Sequence, residues 1–128
     1  MTATPMTELS QVGKGVTVAL FAACYNDTMW PGTPIATVKV LERLGCRVEF
    51  PRKQTCCGQI FTNTGYAAEA LPLVRGFVDT FAAYDAVVAP TGSCVGAIRH
   101  QHHDLAAGAG DAALTRAVDA LTPKVYDL

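Results

Sequence analysis

The chain has 128 residues, of which 50% are hydrophobic and 16% are charged. This length is enough for one domain with an apolar core and too short for two domains of ordinary size. Ten Lys and Arg residues stand against eleven Asp and Glu, for a formal net charge of -1, and the basic residues are scattered, which excludes a broad basic surface for nucleic acid.

The first 15 residues, "MTATPMTELSQVGKG", have neither the basic start nor the apolar segment of a signal peptide, and predict a polar, mobile leader. No later stretch reaches the roughly 20 apolar residues of a membrane helix. We therefore expect a cytoplasmic protein. Thiols stay reduced in the cytoplasm. The five cysteines, an odd number, then favour metal ligands, reactive thiols or core residues over a disulfide framework.

The first elements are predicted from apolar patterning. "VTVALFAA", residues 16–23, is apolar and rich in β-branched residues, as is typical of a strand covered on both faces. Residues 33–45 predict a helix that ends on glycine, and 46–50 a short second strand. The residues expected on the buried face of the helix recur at steps of three: Ile35, Val38, Leu41 and Leu44.

The remaining elements follow the same alternation. Residues 64–84 predict a helix with an irregularity at Pro72 and Gly76, and 85–90 a third, buried strand. The next segments complete the prediction: a helix over 91–105, a break at "AAGAG", a helix over 111–121 capped by Asp111, and the start of a fourth strand at Val125-Tyr126.

Strands that alternate with helices predict βαβ units with right-handed crossovers. We expect residues 16–128 to form a small three-layer α/β domain, with a parallel sheet of three to four strands flanked by helices. No helix follows the fourth strand, a pattern consistent with a domain that continues into a second half. A sheet edge exposed in this way allows strand pairing between copies, which is one route to a homodimer.

The cysteines fall at particular places on this map. Cys24 follows the first strand, Cys56 and Cys57 follow the second, and Cys94 follows the third. The carboxyl ends of parallel strands lie at one edge of the sheet, where such folds bind ligands, so these four thiols are expected to converge. Adjacent cysteines rarely bond to each other, because the closed ring is strained. Cys46 begins the second strand at the opposite end and is predicted to be a buried packing residue.

The surroundings of the thiols favour a soft metal. Cys94 is predicted near a helix N-terminus, which lowers a thiol pKa. Thiolates select zinc, copper(I) or iron–sulfur clusters over hard cations. Gly58 and Gly92 are expected to let the backbone pass close to a bulky group. Three polar residues after the pair are candidates for hydrogen bonds to bound sulfur: Gln59, Asn63 and Tyr66.

The spacing C-x31-CCG-x35-C, from Cys24 to Cys94, resembles the CCG cysteine-rich domain of heterodisulfide reductase B subunits and glycolate oxidase iron–sulfur subunits. The segments "ACYND", "ATVKVLERLGCRVEFPRKQTCCGQ", "NTGY" and "VVAPTGSC" are most similar to the first domain of the lactate utilisation protein A family. The resemblance covers roughly residues 16–128. Because members of that family usually carry two such domains, the resemblance implies that the chain is the first half of a longer two-domain protein.

The resemblance implies an iron–sulfur electron-transfer subunit of a complex that oxidises L-lactate to pyruvate. Its partners would be the other subunits of that complex. Carried over by position, the candidate ligands of the cluster, most simply of the 4Fe-4S type, are Cys24, Cys56, Cys57 and Cys94. The full family motif ends in C-x-x-C, and here Ala97 stands in place of the last cysteine, so a five-cysteine cluster is not expected.

Two alternatives stay open from the residues themselves. Four thiols also suit tetrahedral zinc, which would make the chain a redox-silent scaffold. The cysteine pair with Cys94 as partner would suit a thiol redox protein.

"RHQHH" places His100 and His103 on one helix face, where they could hold a metal, although a solvated helix end explains them more simply.

Overall fold

The computed structural model describes residues 11–128. Four strands form one sheet: β1 (Thr17–Leu20), β2 (Arg47–Glu49), β3 (Ala86–Ala89) and β4 (Val125–Asp127). Their spatial order is β2, β1, β3, β4, and every neighbouring pair is parallel. The predicted α/β class, the parallel sheet and the fourth strand are therefore confirmed.

Helices fill the connections between the strands. In chain order they are α1 (Cys24–Met29), α2 (Gly32–Arg43), α3 (Gln59–Asn63), α4 (Ala67–Phe81), α5 (Gly92–Gly96), α6 (His102–Gly108) and α7 (Ala112–Leu121). A π-helical turn, Ala97–Gln101, joins α5 to α6, and a 3-10 turn, Thr122–Lys124, leads into β4.

Both faces of the sheet are covered, as the apolar first strand predicted. On one face Val18 and Val88 pack with Leu41 of α2. On the other face Ala19 and Val87 belong to the main core cluster, which contains aromatic residues of α4. Alternate residues of β1 thus point into different cores, so a polar residue at any of its central positions would lose solvation.

Helix α2 is rotated relative to the prediction. Its buried residues are Pro34, Thr37 and Leu41, whereas Ile35 is 54% exposed. Four residues at constant steps of three spread over about half of a helix circumference, because one turn takes about 3.6 residues. The predicted stripe is therefore buried only in part: Leu41 is buried, Val38 and Leu44 are half-buried, and Ile35 is exposed.

The segment before β3 also differs from the prediction. A separate short helix, α3, was not predicted, and Gly65 with φ of +87° makes the turn before α4. Helix α4 begins at Ala67 and runs without a break through Pro72 and Gly76. The predicted irregularity does not interrupt the helix, because buried residues on both sides of the proline, Ala70 and Val74 among them, hold the helix against the core.

The helix predicted over 91–105 is longer and less regular. It contains the π-helical turn and continues to Gly108, so its break falls at the end of "AAGAG", where Gly110 has φ of +71°. The predicted cap of α7 is confirmed, since the Asp111 carboxylate accepts from the backbone N–H of Leu114 at 2.9 Å.

Residues 1–10, most of the predicted leader, lie outside the described residues. Just after them, the Gly13 N–H donates to the Leu44 carbonyl at 2.6 Å. None of the helices within residues 11–128 has the length and apolar character needed to cross a membrane.

Candidate functional site

The four predicted cysteines line one cavity. Cys24 opens α1, Cys56 and Cys57 lie in the loop before α3, and Cys94 lies within α5. All four border a space of about 330 Å³. This convergence follows from the parallel sheet, which delivers the ends of β1, β2 and β3 to the same edge.

Cys24 and Cys56 form one close pair in this cavity, with 3.9 Å between their sulfur atoms. Burial, followed by the neighbouring Cys56, raises the pKa of the Cys24 thiol. The Cys56 sulfur also accepts a hydrogen bond from the backbone N–H of Gly58 at 3.4 Å. One member of this pair therefore already has a backbone donor aimed at its sulfur.

Cys57 and Cys94 form the second pair, and both are buried. Hydrogen bonding to Cys94, together with burial, raises the pKa of Cys57 well above its ordinary value. The same contact lowers the pKa of Cys94, against the effect of burial. The lowered pKa predicted for Cys94 is thus found, with the hydrogen bond to the Cys57 thiol as its largest cause. A thiolate is the form that binds metals.

Gln54 fastens the cysteine loop to the end of β1. Its amide nitrogen donates to the carbonyls of Leu20 at 2.9 Å and Pro51 at 2.8 Å, and its amide oxygen accepts from the Ala22 N–H at 2.8 Å. The side chain thereby replaces ladder hydrogen bonds beyond the end of β1. It sets the position of the "TCCG" loop relative to the Cys24 segment.

Asn26 ties the first and third cysteine segments together. Its amide nitrogen donates to the Thr91 hydroxyl at 2.9 Å and lies 3.4 Å from the Pro90 carbonyl. Because Asn26 is buried and polar, this pairing offsets its loss of water. Cys24 and Cys94 are therefore held on segments that are hydrogen-bonded to each other.

His102 is the histidine closest to the site. Its side chain is 1% exposed, and its Nε2 lies 2.7 Å from the Cys57 carbonyl oxygen. Burial lowers the pKa of His102, so the ring is neutral near pH 7. By contrast, His100 is exposed and His103 pairs with Asp119 at 2.6 Å on the surface. Neither His100 nor His103 lines the cysteine cavity.

Three residues that support the site were not predicted from the sequence: His102, Gln54 and Asn26. A signal for His102 was present, because Ile98, His102 and Ala106 recur at steps of four and all three are buried. No comparable pattern marks Gln54 or Asn26. Gln54 bonds to the backbone of Leu20 and Ala22, and Asn26 bonds to the Thr91 hydroxyl. Hydrogen bonds between such distant segments leave no periodicity in a sequence.

The other predicted site residues divide into two groups. Gln59 and Asn63 line the cavity, whereas Tyr66 is 57% exposed and does not. Gly92 does not face the cavity as expected, since a Cβ there would meet the Asp127 carboxylate at 3.2 Å. Gly58 matters through its backbone, which has φ of +85°.

Cys46 lies apart from the other four cysteines. It precedes β2 at the opposite end of the sheet, is partly buried, and packs on the cluster of Val18, Leu41 and Val88. The prediction that Cys46 packs against a core is therefore confirmed, with less burial than expected. Its distance from the cavity makes it a natural control for the other thiols.

The donor set fits a thiolate-bound group. Within residues 11–128 no three His, Cys, Asp or Glu side chains are grouped to hold one metal ion. The four cysteines instead surround a cavity of about 330 Å³. One water molecule occupies roughly 30 Å³ of liquid, so the cavity has room for a group of several atoms between soft ligands.

Ala97, in place of the last motif cysteine, is 4% exposed and starts the π-helical turn. It belongs to the main core cluster together with Cys57 and Cys94. A methyl group therefore fills a position beside the site where a fifth thiol would otherwise stand.

Comparison with known proteins gives consistent results. The CCG cysteine-rich domain family matches residues 18–99. "Lactate utilization protein A" of Exiguobacterium is 47% identical over 88 residues, which are 67% of this chain and 36% of the relative. The protein of the same name from Geobacillus sp. strain WCH70 is 40% identical over 111 residues, 87% of this chain and 45% of the relative.

The chain thus spans less than half the length of these curated relatives. No solved structure matches it. The family match covers most of the chain and contains all four cysteines of the cavity. On this basis the chain belongs to the CCG cysteine-rich domain family.

Proposed function

We propose that this chain is an iron–sulfur electron-transfer domain of a complex that oxidises L-lactate to pyruvate. The observation that carries the proposal is the convergence of Cys24, Cys56, Cys57 and Cys94 on one cavity. The family match and the names of the relatives support the lactate assignment. We further propose that residues 16–128 act as one domain, in the cytoplasm, with other subunits as partners.

The four cysteines would hold the cluster, and a cluster bound there supplies reversible transfer of single electrons. The chain's own residues prepare the site. Cys94 ionises ahead of Cys57, Gly58 donates to the Cys56 sulfur, and Gln54 holds the loop in place. The buried Cys57 and Cys94 keep one side of the site away from water.

The test is iron and acid-labile sulfide content of anaerobically purified protein, for wild type, Cys57→Ser and Cys46→Ser. We expect iron and sulfide in wild type and Cys46→Ser, and a loss of most of both in Cys57→Ser. Stoichiometric zinc without sulfide would overturn the cluster and support a scaffold. Equal iron in all three proteins would place the metal elsewhere.

The lactate assignment needs a second readout. Cells that lack the gene and depend on L-lactate for carbon are complemented with each variant. We expect wild type and Cys46→Ser to restore growth and Cys57→Ser to fail. Growth of the uncomplemented cells at the wild-type rate would contradict the assignment, whatever the iron content.

A thiol redox protein is the second candidate, and the 3.9 Å between the sulfurs of Cys24 and Cys56 favours it. The two thiols would form a disulfide and pass two electrons and two protons to an oxidised partner disulfide. Such chemistry requires no metal. A reversible loss of two titratable thiols in metal-free protein, with growth on lactate retained, would select it over the cluster.

A further inference from the structure

The Cys57–Gly58 peptide unit makes two hydrogen bonds in opposite directions. Its carbonyl, from Cys57, lies 2.7 Å from Nε2 of His102. Its N–H, from Gly58, donates to the sulfur of Cys56 at 3.4 Å. A peptide bond is planar and trans, so its carbonyl and N–H point in opposite directions and turn together. Whatever fixes the carbonyl therefore fixes the direction of the N–H.

His102 is well suited to fix it. A carbonyl oxygen only accepts hydrogen bonds, so Nε2 of His102 must carry the hydrogen and donate. The ring is enclosed, with 1% exposure and an edge-to-face contact with Phe77 at 5.5 Å between ring centres. It follows the π-helical turn, and such turns are frequent at functional sites. The donor is thus held by packing as well as by its hydrogen bond.

The peptide needs such a restraint, because Gly58 has φ of +85°. Glycine reaches this conformation easily and also leaves it easily. Gln54 holds the loop before the cysteine pair, and its hydrogen bonds go to Ala22, Leu20 and Pro51 rather than to this peptide. His102 reaches it from a different segment of the chain, at the start of α6.

We propose that His102 is a positioning residue that orients the Cys57–Gly58 peptide so that its N–H donates to the Cys56 sulfur. The hydrogen bond to the carbonyl also polarises the peptide and strengthens the N–H as a donor. Donors to a ligand sulfur stabilise the more negative, reduced state of a bound cluster. In the proposed function, on which this part rests, His102 raises the reduction potential through the peptide without touching the cluster.

The experiment uses the full chain with three substitutions. His102→Leu removes the donor, and His102→Gln keeps an N–H donor close to the position of Nε2. His103→Leu is the matched control, because it removes the adjacent, exposed histidine that pairs with Asp119. Reduced, metal-free protein is measured by NMR for the Gly58 amide proton shift and for the tautomer of His102. Protein that holds the iron–sulfur cluster is then titrated for its midpoint reduction potential.

In wild type we expect the Nε2–H tautomer and a downfield Gly58 amide proton. This proton should move upfield in His102→Leu and stay near its wild-type position in His102→Gln and His103→Leu. The midpoint potential should become more negative in His102→Leu alone. An Nδ1–H tautomer in wild type, or a Gly58 shift equal in His102→Leu and wild type, would overturn the proposal.

The two readouts separate this inference from the proposed function. If the protein binds no cluster, the proposed function fails, and the Gly58 measurement in metal-free protein still decides the role of His102. If His102→Leu does not fold, the tautomer in wild type and the shift in His102→Gln decide it. An upfield move of the Gly58 amide proton in folded His102→Gln would count against the role of the donor.

Discussion

Gln54 supports the site although it is not one of the proposed ligands. Its side chain makes three hydrogen bonds to backbone groups at or beyond the ends of regular strands, at Leu20, Ala22 and Pro51. Buried backbone groups need partners, and loops have few to offer. One amide side chain supplies both a donor and an acceptor here, as the amide of glutamine allows.

Gln54→Ala should therefore destabilise the fold. Each hydrogen bond contributes about 1 kcal/mol, and the Ala22 N–H would lose its partner, so we expect a loss of about 2–3 kcal/mol. Urea unfolding of reduced, metal-free protein measures it. Lys53→Ala, at the exposed neighbouring position, should change stability by less than about 0.5 kcal/mol. Equal effects of the two substitutions would contradict this account of Gln54.

The cysteines could be predicted from the sequence, and their supports could not. Cys24, Cys56, Cys57 and Cys94 follow apolar runs, and the rule that parallel strands end at one edge brings them together. The contact of His102 with the Cys57 carbonyl joins residues 45 positions apart. It depends on how α6 packs on the loop, and sequence spacing carries no information about that packing.

Helix α7 also has one feature that the sequence predicts and one that only the structure shows. Its cap was evident in the sequence, because aspartate precedes an apolar periodic segment. The structure adds Arg75 from α4, whose guanidinium lies 2.8 Å from the Asp111 carboxylate. The Leu114 N–H, then Arg75, lowers the pKa of Asp111 below its ordinary value of 3.8.

This depressed pKa predicts a pH dependence. A carboxyl group whose pKa is lower in the folded state stabilises the fold above its unfolded value, and the contribution is lost as pH falls through the folded value. Asp111→Ala should therefore lower the urea midpoint at neutral pH, and the difference from wild type should shrink below about pH 4. Urea titrations across that range measure it.

The control for this experiment is Asp79→Ala, an exposed carboxylate on α4. It should leave the midpoint nearly unchanged at every pH. A difference between Asp111→Ala and wild type that stays constant down to about pH 2 would show that the ionised carboxylate is not what caps α7.

Some elements escaped prediction for physical reasons. The π-helical turn Ala97–Gln101 arises from packing, because no residue type prefers that hydrogen-bond pattern. The short α3 is framed by glycines with positive φ, Gly58 and Gly65. Glycines mark a turn in sequence without showing that one helical segment lies between them.

Across the whole molecule, the cavity joins three segments that follow different strands. A group bound by all four thiols would cross-link the ends of β1, β2 and β3. Binding to the folded state alone stabilises it. We expect loaded protein to be more stable than the metal-free form by about 2 kcal/mol or more, which corresponds to roughly 6–10 °C in Tm.

Calorimetry under anaerobic conditions measures this gain. Cys46→Ser should keep it, because Cys46 lies at the other end of the sheet. Loading that leaves Tm unchanged would mean that the bound group does not connect the three segments, which contradicts the four-thiol arrangement.

The order of the strands in the sheet also governs when the site can exist. β1 comes first in the chain and lies inside the sheet, pairing Val18 with Val48 of β2 and with Ala86 of β3. During synthesis β1 cannot complete its pairing until β2 and β3 have been made, and Cys24, which follows β1, cannot take its final position before then. Cys24 is made 70 residues before Cys94. Any group that bridges all four thiols must therefore be inserted late, into a chain whose last cysteine has already been made.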